Sequence, residues 1–353
     1  MLQRSELMRR IPFRKLTCLN PMARKMQIPK AAAVLPLLLC LAGCKMEVLN
    51  PAGDLAVQER DLVILATGLM LLIIVPVIVM TLLFAWRYRA SNTAAPYRPD
   101  WHHSTRLELA IWGAPIAIIA VLGSVAWAAS HTLDPYRPIS RIAPGQPVTA
   151  AMKPLEVQVV AMDWKWLFIY PELGVATVNE LAAPVDRPLA FKITSTTAMN
   201  SFYVPAMAGQ IYAMPGMQTQ LHAVINKPGV YEGFSANYSG AGFSDMRFKL
   251  RAMSAADFNQ WVAAARQSNG PHLLRADYQG LAKPSIAAAK QTFAQVEPGL
   301  FDDIVGGCAL PGQVCRNGMT RSENMALKQD CKKPEAATTA GKVSRRPSLT
   351  PAA

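Results

Sequence analysis

Twenty-five consecutive residues, Leu62 to Trp86, carry no charge and are mostly Leu, Ile, Val and Met. As a helix rising about 1.5 Å per residue, this run reaches about 38 Å, more than the roughly 30 Å hydrocarbon thickness of a bilayer. It therefore reads as a membrane span, and Pro76 at its middle is tolerable in lipid because neighbouring groups can satisfy the freed carbonyl. A second uncharged run extends from Leu109 to Ser130. Trp86 and Tyr88 end the first span, and Trp112 and Trp127 stand near the two ends of the second, as in an interfacial aromatic belt. The intervening loop holds Arg87, Arg89, Arg98 and Arg106 against Asp100, which places it on the cytoplasmic side and sends both flanks outward. A transmembrane hairpin thus occupies residues 62–131. A charged fraction of 17%, against roughly 25% in soluble domains, agrees with a chain partly in lipid.

The net charge of +13 invites a nucleic-acid partner until it is divided along the chain. Residues 1–43 hold eight Lys/Arg against Glu6 alone, so more than half of the excess lies there and no nucleic-acid surface is expected. That segment is basic through residue 30 and apolar from 31 to 43, the layout of a secretory signal too short to span. It ends in Leu41-Ala-Gly-Cys44, which is similar to the lipobox of bacterial lipoproteins; by that resemblance Cys44 becomes a lipidated N-terminus, leaving 44–61 as a lipid-anchored segment. An ordinary signal or anchor helix with a chance cysteine is the alternative. Met22 or Met26 is a candidate start.

From Lys153 the pattern changes to period two. The segments from Leu155, Leu189, Gln220 and Met246 alternate as short strands, separated by turn signals such as Pro171-Glu-Leu-Gly174 and Asn226-Lys-Pro-Gly229. Several strands over about 100 residues indicate an exported antiparallel sandwich or barrel, residues 150–253. Residues 254–300 read as a helical extension, with Ser254 and Asp257 as its start signal, and 301–353 as a disordered tail. Cys308, Cys315 and Cys331 leave an odd thiol in an oxidising compartment; a Cys308–Cys315 disulfide is compatible with the sequence but not deducible from it.

Two features invite a functional reading. Glu108 stands at the cytoplasmic start of the second span, where an ionisable group usually faces a protein interior or a water path. It equally fits a first-turn glutamate favoured by the helix dipole, or a partner for Arg106. Trp164, Trp166, Phe168 and Tyr170 alternate, so a continuous strand would put all four on one face, as core or as a docking surface for a partner protein.

The succession Met162-Asp-Trp-Lys-Trp-Leu-Phe-Ile-Tyr-Pro-Glu172, Asn200-Ser-Phe-Tyr-Val-Pro205, Ile211-Tyr-Ala-Met-Pro-Gly-Met-Gln-Thr219 and Tyr238-Ser-Gly-Ala-Gly-Phe-Ser-Asp-Met246, after a two-helix hairpin, resembles subunit II of the haem–copper terminal oxidases. The likeness spans roughly residues 41–265 and is greatest to the cytochrome bo-type ubiquinol oxidases. It implies a cupredoxin-like sandwich, a bacterial inner membrane, and a non-catalytic subunit beside subunits I, III and IV. The haems and one copper would lie in subunit I, with ubiquinol as the substrate of the complex. The resemblance also makes Glu108 the mouth of a proton channel into subunit I.

One expected motif is absent. The cytochrome c branch of this family holds two copper ions through an upstream His and a Cys-x-Glu-x-Cys-x3-His-x2-Met block. Here Asn200 replaces the upstream His, and Ser235, Asn237, Ser239 and Phe243 replace the first four ligands of the block; Met246 alone survives. Such centres need soft thiolate and imidazole donors, so this chain is expected to bind no metal. The rivals are a cytochrome c or menaquinol oxidase subunit II, or a Cu(I)-binding lipoprotein using Met199, Met207, Met214, Met217, Met246 and Met253.

Overall fold

The computed structural model describes residues 46–96, 99–268 and 270–316. The signal and lipobox through Cys44, Arg98 of the loop, and the tail beyond Arg316 with Cys331 lie outside them. Helix α1 (Asp54–Arg87) and helix α2 (Thr105–Thr132) form the hairpin. Asp54 in the first turn and Arg87 in the last turn of α1 complement its dipole. The apolar side chains point outward: Leu72, Leu82 and Ile119 are each more than 60% exposed in the isolated chain. Such a surface is stable only against hydrocarbon or another protein.

At 34 residues α1 is about 51 Å long, well beyond what the hydrocarbon needs. The surplus is at its N-terminal end, so residues 54–61 of the segment expected to follow the anchor are helical. That end is fixed to the exported domain by main-chain bonds. The amides of Ala52 and Gly53 donate to Ala206 O at 2.8 and 2.9 Å, and Asn226 N donates to Ala52 O at 2.8 Å. One turn on, Glu59 accepts the Gly209 amide at 2.9 Å. Residue 53 must be glycine for this approach, because a Cβ there would stand 2.3 Å from Val224 O and 2.7 Å from Met207 O.

After a small hairpin of β1 (Arg141–Ala143) and β2 (Gln146–Pro147), the chain builds a sandwich. The first sheet contains β3 (Leu155–Met162), β4 (Lys165–Tyr170), β5 (Val175–Val178), β7 (Leu189–Ser195) and β10 (Thr219–Ala223). The second contains β6 (Glu180–Pro184), β8 (Asn200–Val204), β9 (Ala208–Ala213), β11 (Gly229–Ser235) and β12 (Arg247–Met253). Their orders are β10-β7-β3-β4-β5, extended by a later strand at the β5 edge, and β6-β12-β11-β8-β9. The sheets are mostly antiparallel, as the sequence indicates, but each holds one parallel pair, β3 with β7 and β6 with β12. Both pairs join strands distant in sequence, where a long connection lets the second strand run in the same direction as the first.

Between the sheets, Trp166, Phe202 and Phe248 make the aromatic heart of the core; Phe202 and Phe248 stack at 5.4 Å, and Trp166 meets each edge-on at 5.6 Å. A second core lies on the outer face of the first sheet. There Val160, Leu167 and Ile169 pack on Leu273, Tyr278, Phe293 and Phe301 of the C-terminal extension.

That extension departs from an all-helical reading. Helix α3 (Ala255–Gln267) starts where Ser254 Oγ accepts the Asp257 amide at 3.1 Å, and it buries Phe258 and Val262. Beyond it, α4 (Arg275–Leu281) is flanked by β13 (His272–Leu273), β14 (Gln291–Phe293) and β15 (Gln295–Val296). Strand β14 is the added edge strand, paired with β5, while β13 pairs with β15. The expected tail boundary at 301 is also corrected. Helix α5 (Leu300–Gly306) inserts Leu300, Phe301 and Ile304 into the outer core, and a Cys308–Cys315 disulfide closes the segment. Lys165 holds the extension to the sheet: buried, its Nζ donates to Lys283 O at 2.7 Å and Ser285 Oγ at 2.6 Å. Burial lowers its pKa below the ordinary lysine range, with nearby Asp163 opposing.

Candidate functional site

The positions set apart by their missing ligands meet at one end of the second sheet. Asn200 opens β8, Ser235 ends β11, and the loop from 236 to Met246 returns the chain to β12. Asn200, Ser235 and Met246 are buried. Ser235 Oγ lies 3.1 Å from Asn200 Oδ1 and 3.1 Å from Asn237 O, so its single proton serves either, and it accepts the Ser201 amide at 3.4 Å. The second Asn200 group, Nδ2, donates to Ala198 O at 3.1 Å, and Asn237 Nδ2 donates to Met199 O at 3.0 Å. Ser239 Oγ points at Met246 Sδ, 3.9 Å away. Phe243 stands apart from these bonds, its ring 5.5 Å from that of Tyr238.

Asn200, Ser235 and Asn237 therefore form a hydrogen-bonded group completed by the carbonyls of Ala198 and Met199, with Ser239 and Met246 paired beside it. The donors are two hydroxyls, two amides and a thioether, with neither a thiolate nor an imidazole, and this set does not fit a dinuclear copper centre. Burial of such groups is stable because each has a hydrogen-bond partner.

The aromatic run divides. Trp164 lies in the β3–β4 turn with φ 63°, so the alternation breaks there and it does not share a face with the others. Its indole N–H donates to Ser239 O at 3.0 Å, and it packs so closely on the loop that a Cβ at Gly242 would meet its ring at 2.4 Å. Trp166, Phe168 and Tyr170 are fully buried between the sheets and cannot be a docking surface. The sequence allowed either role, and burial decides for core. The Tyr170 hydroxyl donates to Ala182 O at 2.9 Å and accepts the Ala182 amide at 2.8 Å, which ties the first sheet to β6 of the second. Burial holds its phenol well above the usual tyrosine range, so it stays neutral.

Glu108 occupies the first turn of α2 and is exposed, with Oε1 2.9 Å from His103 Nδ1. Among the described residues, the side chain that Glu108 meets is His103 rather than Arg106. His103 was not singled out from the sequence; a titratable loop residue five positions before Glu108 was the available signal. The six methionines do not share an environment: Met207 and Met246 are in the core, whereas Met199 and Met217 are exposed.

Two family models match this chain. One, described as the periplasmic domain of cytochrome c oxidase subunit II, covers residues 172–253, and the other, the COX aromatic-rich motif, covers 266–312. Cytochrome bo(3) ubiquinol oxidase subunit 2 of Pseudomonas aeruginosa is 49% identical over 290 residues, 82% of this chain and 83% of the relative. The Pseudomonas putida protein of the same name is 46% identical over 283 residues, 80% and 87% of the two chains. Ubiquinol oxidase subunit 2 of Acetobacter aceti is 49% identical over 267 residues, 76% and 84%. This chain belongs to the ubiquinol oxidase subunit 2 family. The first range begins after β3 and β4 and so holds most but not all of the sandwich. The first ends with β12 at Met253, and the second contains the extension that covers the outer face of the first sheet.

Tyr170→Phe separates core from docking for the aromatic run. Loss of both bonds to Ala182 in the interior should cost about 1–3 kcal/mol. A lowered thermal unfolding midpoint of the purified full chain is expected, with association to partner subunits retained in the folded fraction. An unchanged midpoint with weakened association would return Tyr170 to the docking role.

Proposed function

We propose that this chain is subunit II of a proton-translocating ubiquinol oxidase in a bacterial inner membrane, a subunit that has lost the dinuclear copper centre. The observation behind this reading is the hydrogen-bonded cluster of Asn200, Ser235 and Asn237, with Ser239 on Met246, where the cytochrome c branch needs thiolates and imidazoles. The relatives named above, ubiquinol oxidase subunits in three bacteria, support it. Without the soft donors no copper relay from a soluble haem protein can form, so electrons reach the haems and the one copper of subunit I directly from quinol. This chain then anchors and scaffolds subunit I, beside subunits III and IV, and the chemistry of oxygen reduction belongs to subunit I. The assembled complex purified from membranes should consume oxygen with ubiquinol and not with reduced cytochrome c, and should contain one copper. Three coppers per complex with cytochrome c oxidation would overturn the reading.

Glu108 is the proposed cytoplasmic mouth of a proton path into subunit I. Its exposure on the isolated chain and its place at the start of α2 support the role. Replacement by Gln keeps the shape and removes the proton-accepting group, so quinol turnover should fall about tenfold, an added barrier of roughly 1.4 kcal/mol. Assembly and the haem spectrum should be intact. Unchanged turnover and proton uptake would leave Glu108 as a first-turn glutamate only.

Cys44 is the proposed lipid-modified N-terminus of the mature chain, on the outer side with the sandwich. Intact-mass measurement of the purified subunit should show a chain beginning at Cys44 and carrying acyl groups. An unbroken 43–44 peptide bond would remove the anchor.

A further inference from the structure

At the cytoplasmic end of the hairpin, a cleft of about 820 Å³ lies between the last turns of α1 and the loop that follows. Phe84 and Tyr88 wall it on the helix side, and Ala95, Pro96 and Trp101 on the loop side. The turn that leaves α1 is fixed by bonds to the end of the helix. Asn92 N donates to Arg89 O at 2.8 Å, Asn92 Nδ2 donates to Arg87 O at 2.6 Å, and Ala94 N donates to Asn92 Oδ1 at 3.3 Å. Phe84, Tyr88 and Trp101 are each more than half exposed in the isolated chain, so three aromatic rings border the space and the rest of the chain does not cover them.

Arg89 belongs to the same walls and is exposed. Its Nε donates to Ser91 Oγ at 3.0 Å, its Nη1 donates to Trp86 O at 2.9 Å, and the guanidinium lies over the Trp86 ring at 5.3 Å. Nη2 has no hydrogen-bond partner among the described residues, so an oriented guanidinium keeps donors suited to a phosphate. In sequence, Arg87, Arg89, Arg98 and Arg106 stand here against Asp100 alone. The apolar run of α1 ends at Trp86, and from Phe84 to Tyr88 the chain rises about 6 Å, close to the depth of a headgroup layer. One end of the cleft therefore borders hydrocarbon, and the other carries a cation.

We infer that this cleft is a site for an acidic phospholipid of the cytoplasmic leaflet, with its phosphate on Arg89 and its glycerol and first acyl carbons among Phe84, Tyr88 and Trp101. An apolar protein segment would cover the rings but leave the guanidinium without a counter-ion. A soluble phosphate ester has the same headgroup chemistry but leaves the rings bare; the lipid uses both. The inference rests on the placement of the hairpin in the membrane and does not depend on which oxidase the complex is.

The test uses the purified membrane complex, reconstituted separately with phosphatidylglycerol or phosphatidylethanolamine, and counts the lipids that survive detergent washing by native mass spectrometry. One phosphatidylglycerol per copy of this chain is expected at the cleft, retained about fivefold better than phosphatidylethanolamine, the factor that one juxtamembrane arginine supplies toward acidic lipid. The lipid of the cleft is the one that Arg89→Gln and Ala95→Leu each remove. The first takes away the phosphate donor, the second fills the space, and size-exclusion chromatography with the haem spectrum confirms assembly. Lipid counts unchanged in both variants, or equal retention of the two lipids, overturn the site. Loss of a partner subunit in place of a lipid would make the cleft a protein contact, and displacement by millimolar glycerol 3-phosphate would make it a site for a soluble ester; either result overturns the lipid assignment.

Discussion

The bonds from Ala52 and Gly53 to Ala206, with Glu59 on Gly209, decide how the molecule transmits position from membrane to exported domain. Main-chain bonds at both sides of a glycine that admits no Cβ leave little rotational freedom at the junction. A helix that simply ended at the hydrocarbon boundary would need a flexible linker, and the sandwich would then sample many orientations. Here α1 continues into the exported domain. Bonded in this way, the hairpin and the sheet are coupled through the junction at Ala52 and Gly53. This matters most for a subunit whose proposed role is scaffolding.

The cluster around Ser235 shows how buried polar groups can be accommodated at the end of the second sheet without collapse of the loop. Buried polar groups are tolerated when paired, and the cost of leaving one unpaired is larger than the gain from any single bond. The hydroxyl of Ser235 and the amides of Asn200 and Asn237 find partners in nearby carbonyls, while the Ser239 hydroxyl turns to Met246 Sδ. The framework around them is held independently. Trp166 donates to Met246 O, Trp164 donates to Ser239 O, and Ser235 N donates to Met246 O, so the loop has anchors that do not need a metal ion.

Much of this was legible in the sequence, and the failures have physical causes. Uncharged runs and arginine placement gave the hairpin because nothing but lipid or protein can cover such helices. Period two gave β3, β7, β10 and β12, whose burial alternates over much of their length. It could not reveal that β4 is buried on both faces, since Leu167 and Ile169 face a layer formed by residues more than a hundred positions away. For the same reason the extension read as helical: β13, β14 and β15 are two or three residues long and exist only by pairing with distant partners. Trp164 failed the alternation rule because its positive φ belongs to a turn, a property that strand spacing does not encode. That Asn200, Ser235 and Met246 come together at one end of a sheet was not legible from strand spacing, because three separate segments of the chain supply them.

The second layer on the first sheet also explains where strength resides in the exported domain. A strand buried on both faces loses far more apolar surface to water on opening than one with a solvated face. Strand β4 and the second half of β3 are in that position, clamped from outside by Phe293, Leu300 and Phe301 and from inside by the aromatic core. Arg275, paired with Glu297 and Asp303, and the Cys308–Cys315 disulfide secure the outer layer against peeling. The turn that carries Trp164 joins these two strands, so the contact that braces the loop from 236 to Met246 is mounted on a deeply buried hairpin. The indole bonds of Trp164 and Trp166 hold that loop from this support.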